Sequence, residues 1–128
     1  MIAIRAGGCA LALVGAIAIV ACAEAPVKPG EAKKVTGMPL APYALEEECM
    51  RLNVGDRLEL DFTSTAPVAF NIHYHEGNAI LMPRTLAGVT SDANIFAAPV
   101  TQDYCLMWEA GAEGAIIDYR LRLRPAER

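Results

Sequence analysis

Between Arg57 and His75, apolar and polar residues exchange places with a period of two, and that alternation constrains the fold more than any other feature. Leu58, Leu60 and Phe62 alternate with Arg57, Glu59 and Asp61; Val68, Phe70, Ile72 and Tyr74 alternate with Ala69, Asn71, His73 and His75. Successive side chains of a strand leave opposite faces, so each run predicts a half-buried β-strand. Glu76-Gly77-Asn78 predicts a turn, and residues 79–82 a short strand stopped by Pro83. Residues 85–94 read as a polar loop and 95–100 as a further apolar run. Residues 103–109 and 116–123 flank Ala110-Gly111-Ala112-Glu113-Gly114, which predicts a hairpin with a Gly-rich loop. Asn53-Val54-Gly55-Asp56 supplies one more turn. Residues 43–50, with Glu46-Glu47-Glu48, suit either one helical turn or a first strand. Several short strands with turn residues between them predict an all-β fold, a small antiparallel β-sandwich.

The amino terminus says where such a domain would work. Arg5 is the only early charge, an apolar run covers residues 9–21, and it ends in Ile19-Val20-Ala21-Cys22. One basic residue, a short hydrophobic core and small residues before a break predict a signal peptide over residues 1–21. Residues 19–22 resemble a bacterial lipobox, which implies that Cys22 is lipidated and becomes the first mature residue. A diacylglycerol plus an N-acyl chain such as palmitate is enough for stable membrane attachment. Ala23 resembles the residues that permit onward transport, which implies an outer membrane and a domain facing the periplasm. Ala21-Cys22-Ala23 is also a small-x-small pattern whose cleavage would release a soluble secreted domain starting at Glu24. A membrane span needs about 20 apolar residues, and Glu24, Pro26 and Lys28 close this run too early.

Residues 24–42 contain Pro26, Pro29, Gly30, Gly37, Pro39 and Pro42 among Lys28, Lys33 and Lys34. Such a stretch predicts a flexible tether. The expected plan is a leader over 1–21, a tether over 22–42, a sandwich over 43–124 and a tail over 125–128. The formal charge of −4 becomes −5 once the leader, whose one charge is Arg5, is removed. That acidity argues against nucleic acid, which is bound through clustered Lys and Arg. Arg120, Arg122 and Arg124 would share one face of a strand, a solvated stripe that discourages edge pairing.

Of four cysteines, Cys9 lies in the leader and Cys22 at the lipid position. An oxidising envelope favours joining the remaining two, Cys49 and Cys105. Closing that loop would stabilise the fold by roughly 4 kcal/mol. The alternative is a reduced or metal-ligating Cys105.

Cys49 ahead of a turn, the strand over 57–62, PVAFNIHYHEG over 67–77 and DYCLMWEA over 103–110 together resemble the GOLD domain. This is the β-sandwich of p24-type secretory-pathway proteins, whose motif pairs an early cysteine with a late Tyr-Cys strand. The resemblance implies a Cys49–Cys105 disulfide and a non-catalytic binding role. The chain departs from the p24 pattern in having its expected anchor at the opposite end, with no coiled coil or membrane helix after Arg124.

Both histidines occur in His73-Tyr74-His75. At i and i+2 of a strand they point the same way, about 7 Å apart along the backbone. They can converge on one ion, and imidazole suits zinc, copper and nickel. Met82, Glu76 and Met107 are candidate further donors, and a thioether would favour Cu(I). His-x-His pairs are also common on exposed strands without any metal, and surface or partner-contact histidines are the more ordinary reading of this pair. Cys105 has no histidine following it, so a blue-copper arrangement lacks its spacing. Tyr104, Leu106 and Trp108 share one face of their strand, with Cys105, Met107 and Glu109 on the other. The bulky set and the disulfide cannot both face one core. If Trp108 is the exposed one, it and Met107 are candidate ligand or partner contacts; otherwise Trp108 is core. Ser64 and Ser91 lack a nucleophile-elbow setting, and spacing does not pair Asp61 with Asp118. The expectation is therefore a non-catalytic binding module, lipid-anchored in the envelope, whose partner is an unknown envelope protein or small ligand. The alternatives are a periplasm-facing copper or zinc binder using His73 and His75, and a soluble secreted binding domain.

Overall fold

The computed structural model describes residues 27–127; the expected leader, the Cys22 lipidation position, the start of the expected tether and Arg128 lie outside them. Six strands follow in order: β1 (Ala32–Leu40), β2 (Leu45–Leu52), β3 (Arg57–Glu76), β4 (Ala79–Ala97), β5 (Gln102–Ala110) and β6 (Ala115–Arg124). No helix occurs among the described residues. The antiparallel sheet has the order β1-β6-β3-β5-β2, with β4 along the other side of β3.

The all-β expectation holds, but the sandwich is made by bending long strands rather than by stacking short ones. β6 pairs with residues 57–64 of β3 and β5 with residues 68–73, both antiparallel to it and on the same side. β5 and β6 therefore run on in one direction, and Gly111–Gly114 is a corner between them. The expected hairpin is corrected: neither strand pairs with the other. β1 on β6 and β2 on β5 continue each other in the same way. One layer holds β1, β6, the start of β3 and the end of β4. The other holds β2, β5, the end of β3 and the start of β4, and the two apolar faces close on each other.

β3 is one strand of 20 residues rather than two. The even-numbered positions keep facing inward from Leu58 to Tyr74, because Ser64 and Ala66 hold the phase between the two apolar runs. β4 likewise runs through Pro83 and through the expected polar loop. It pairs only with β3, so Pro83 lies on an edge, where a missing N–H costs no ladder bond. Gly77, with φ 59°, opens the two-residue turn between β3 and β4, the left-handed position such turns assign to glycine.

The tether expectation is corrected for Ala32–Leu40, which form edge strand β1. Pro39 is tolerated there for the same reason as Pro83. The register shifts between Val35 and Met38, where Gly37 (φ 70°) donates its N–H to Asp118 Oδ1 at 2.6 Å. The ordered domain starts earlier still: Val27 is buried, and the Gly30 N–H donates to the Leu123 carbonyl. At the other end, Ala126 donates its N–H to Asp56 Oδ1, while Asp56 Oδ2 accepts from the Asn53 N–H. That buried carboxylate holds the expected 53–56 turn and the start of the tail together.

Phe62, Phe70, Trp108 and Tyr119 fill the centre, with Trp108 stacked on Tyr119 at 4.8 Å. Tyr74, Tyr104 and Phe96 form a second aromatic group. Tyr104 donates its hydroxyl proton to the Val100 carbonyl at 2.7 Å, and burial pushes its phenol above the ordinary value of 10.0. Each open rim between the layers carries one inward-facing ion pair. At the β1/β2 rim, Lys33 Nζ donates to both carboxylate oxygens of Glu48, at 2.9 and 2.8 Å. On β4, Arg84 meets Asp92 bidentately at 2.7 and 2.8 Å. The arginine stripe on β6 is largely solvated. Arg124 hydrogen-bonds Glu59 and, with Arg122 and Arg120, holds that carboxyl below its ordinary value, partly offset by desolvation.

Candidate functional site

The outer face of the β2-β5-β3-β4 layer gathers most of the residues with binding chemistry. His73 lies where β3 is paired on both sides, with Cys105 of β5 on one, whereas His75, beyond the end of the β5 pairing, is paired with Ile80 of β4 alone. Across β5, Met107 lies opposite Asn71, and Cys105 opposite His73; across β2, Glu47 lies opposite Met107. On the other flank, Ile80 pairs with His75. Between the pairs Tyr74–Leu81 and Ile72–Arg84, β4 has one residue more than β3. Met82 and Pro83 therefore both oppose His73, a bulge of the kind that re-aims a side chain.

These elements frame a cleft of about 170 Å³ lined by Glu47, His73, His75, Ile80, Met82 and Met107. His73 is only 5 % exposed, whereas His75 is exposed. The two rings meet edge to face with centroids 5.4 Å apart. His73 Nδ1 lies 2.8 Å from Asn71 Oδ1. A carboxamide oxygen only accepts, so Nδ1 is the donor in this contact, which fixes the ring with Nε2 toward Glu47. Nε2 lies 3.5 Å from Glu47 Oε1, outside ordinary hydrogen-bond range.

Cys49 and Cys105, directly opposite in the β2–β5 register, form the expected disulfide, with an S–S distance of 2.03 Å. A reduced or metal-ligating Cys105 is thereby corrected. The bridge lies on the outer face, with Cys49 exposed and Cys105 half-buried. The competition between disulfide and aromatics for the inside is settled: Tyr104, Leu106 and Trp108 are all 0 % exposed. Trp108 as a ligand or partner contact is corrected, because its ring is needed between the layers. Among the described residues, Glu47, Cys49 and Cys105 are the only trio of metal-ligating types within 4.8 Å of one another. With both sulfurs bonded together, it supplies a carboxylate and no thiolate.

Glu76, an expected donor, ends β3 and does not line the cleft. Asp61 and Asp118 line a wider groove of about 500 Å³ on the other layer, beside Lys34 and Arg120, where Asp118 is engaged by the Gly37 N–H. Ser64 donates its hydroxyl proton to the Ala66 carbonyl at 2.6 Å, at the bend of β3. Glu47 and Ile80 were not anticipated at the site. Glu47 becomes readable once Cys49 is aligned with Cys105, because that register sets Glu47 against Met107.

No protein-family model matches the chain, and no curated protein does. Among solved structures, the chain is similar to Aeromonas hydrophila PliG, a periplasmic lysozyme inhibitor of g-type lysozyme. That likeness has a TM-score of 0.55 at 12% identity, over 77% of this chain and 94% of that one. It is also similar to the pre-peptidase C-terminal domain of a Bacillus anthracis collagenase, with a TM-score of 0.51 at 11% identity, over 80% and 100% of the two chains. At these identities the likeness is one of fold.

Proposed function

We propose that this chain is a non-catalytic binding module of the bacterial cell envelope that recognises its partner through the outer face of the β2-β5-β3-β4 layer. The observation that carries this reading is the cleft itself. A few polar groups converge among apolar side chains on rigid strands, the usual make-up of a binding site. Its volume of about 170 Å³ is below the roughly 300–1,000 Å³ of drug-sized pockets. An ion or one inserted side chain fits; a large metabolite does not. A periplasmic inhibitor with the same kind of fold lends support to a protein partner. The GOLD resemblance, proposed on the Cys49 and Tyr104-Cys105 positions, points the same way. The address rests on the leader, with Cys22 acylated and the domain facing the periplasm; release as a soluble secreted domain is the second reading. Labelling with a palmitate analogue, lost in Cys22→Ser, would separate the two.

The deciding experiment places a photo-crosslinking residue at Ile80 or Met82 in the full chain in its native envelope, with Asp61 on the opposite layer as control. One discrete adduct from positions 80 and 82, absent from 61, is expected. Equal labelling at all three positions, or none, rejects this face as the recognition surface.

A further inference from the structure

We propose that the cleft is a binding site for one Cu(I) ion, held by the imidazoles of His73 and His75 and the thioether of Met82, with Met107 on the facing wall. The inference rests on the reading of this face as a binding surface and names its ligand.

Three observations carry it. First, the imidazole is prepared as a metal ligand. Asn71 holds the Nδ1 proton of His73 and fixes the ring, while Nε2 is turned toward the cleft at 3.5 Å from Glu47. An outer group that fixes tautomer and orientation is the usual companion of a ligating histidine. Second, the two rings are at the right separation. With metal–nitrogen bonds of about 2 Å, two imidazoles on one ion at a near-tetrahedral angle have centroids about 5 Å apart, and here they are 5.4 Å apart. Third, the remaining walls supply soft sulfur. The β4 bulge brings Met82 to His73 from one flank, and the β5 register brings Met107 beside Asn71 on the other.

The donor set selects the metal. Thioethers favour Cu(I), whereas carboxylate and imidazole together suit zinc. Glu47 lies 3.5 Å from His73 Nε2, but Glu47, His73 and His75 do not each bring a ligand atom within 4.8 Å of the other two among the described residues. His73 is nearly buried, and Ile80 stands on the opposite flank of the cleft.

The test is competition for Cu(I) between the full chain, purified in detergent, and a chromophoric chelator under ascorbate, with zinc titrated in parallel. One Cu(I) per chain is expected, with copper–sulfur scattering in X-ray absorption. His73→Ala with His75→Ala should abolish uptake, and Met82→Leu should weaken it roughly tenfold while leaving zinc unaffected. Asn71→Ala should weaken it about 10–100-fold through the loosened ring. Emission from the buried Trp108 shows in each case that the sandwich is intact. No uptake against the chelator, uptake indifferent to the double histidine variant, or zinc held more tightly than Cu(I) with methionine loss silent would each overturn the inference. Crosslinking at positions 80 and 82 fails or succeeds separately: a partner without copper removes this inference alone, and copper without a partner leaves it standing.

Discussion

Lys33 on β1 and Glu48 on β2 form an ion pair across the gap between the two layers, with side chains only 14 % and 11 % exposed. Glu48 Oε2 also accepts from the Tyr119 hydroxyl at 3.3 Å. Arg84 and Asp92 do the same work at the opposite rim, from either side of the bend in β4. Inward-pointing charge is a known way of blunting sheet edges against further pairing.

Removing one partner of a mostly buried pair strands the other. Lys33→Ala should therefore lower stability by about 2–3 kcal/mol in urea unfolding, and β1 amides should exchange faster. Replacing both partners, Lys33→Met with Glu48→Leu, should restore most of that loss. A double variant no better than Lys33→Ala would show that the pair is not the cause.

The Cys49–Cys105 bridge fastens edge strand β2 to β5 and closes a 56-residue separation. Cys49→Ala with Cys105→Ala should cost about 2–4 kcal/mol of unfolding free energy. The fold itself should persist by circular dichroism, because the core lies on the other face.

Trp108→Ala should cost about 3–5 kcal/mol, as expected for an aromatic lost from a packed centre. As the chain's one tryptophan, it should emit as a buried indole in the native protein and shift red on unfolding. Native emission typical of water would contradict its place between the layers.

Tyr104 sets the behaviour in alkali. Its phenol is raised in the folded state, so its contribution is complete below the ordinary value of 10.0 and is lost as pH rises through the higher folded value. Unfolding curves should show stability declining above about pH 10, and Tyr104→Phe should remove that component. The same substitution should cost about 1 kcal/mol at neutral pH through the lost bond to Val100.

Glu59 gives the opposite limb. Arg124 lowers its carboxyl, so its contribution is present above the ordinary value of 4.5 and disappears as pH falls through the lowered folded value. Glu59→Gln should flatten this part of the acid transition, and added salt should do so partially.

The all-β class and the disulfide were legible because period-two alternation and cysteine arithmetic are local signals. The single long β3 reads as two strands, because residues 63–67 lack the apolar alternation, although Ser64 and Ala66 keep its inward phase. What stayed hidden depended on neighbours. Pro39 and Pro83 look like strand breakers until both are seen on edges. Lys33 and Asp92 look like tether and loop residues until the ion pairs at the rims turn their charge inward. The Gly-rich 111–114 segment reads as a hairpin, and only the register on β3 shows that the chain goes straight on. At the site, the sequence offers His73, His75, Met82 and Met107 each as a donor. Their convergence needed a bulge and two registers that no short window contains.

Because β3 crosses from one layer to the other without interruption, neither half of the domain owns a complete hydrophobic face. A gene split at the bend near Thr65 would yield two fragments that each expose a torn core, soluble only when co-expressed, and the intact molecule should melt as an indivisible unit.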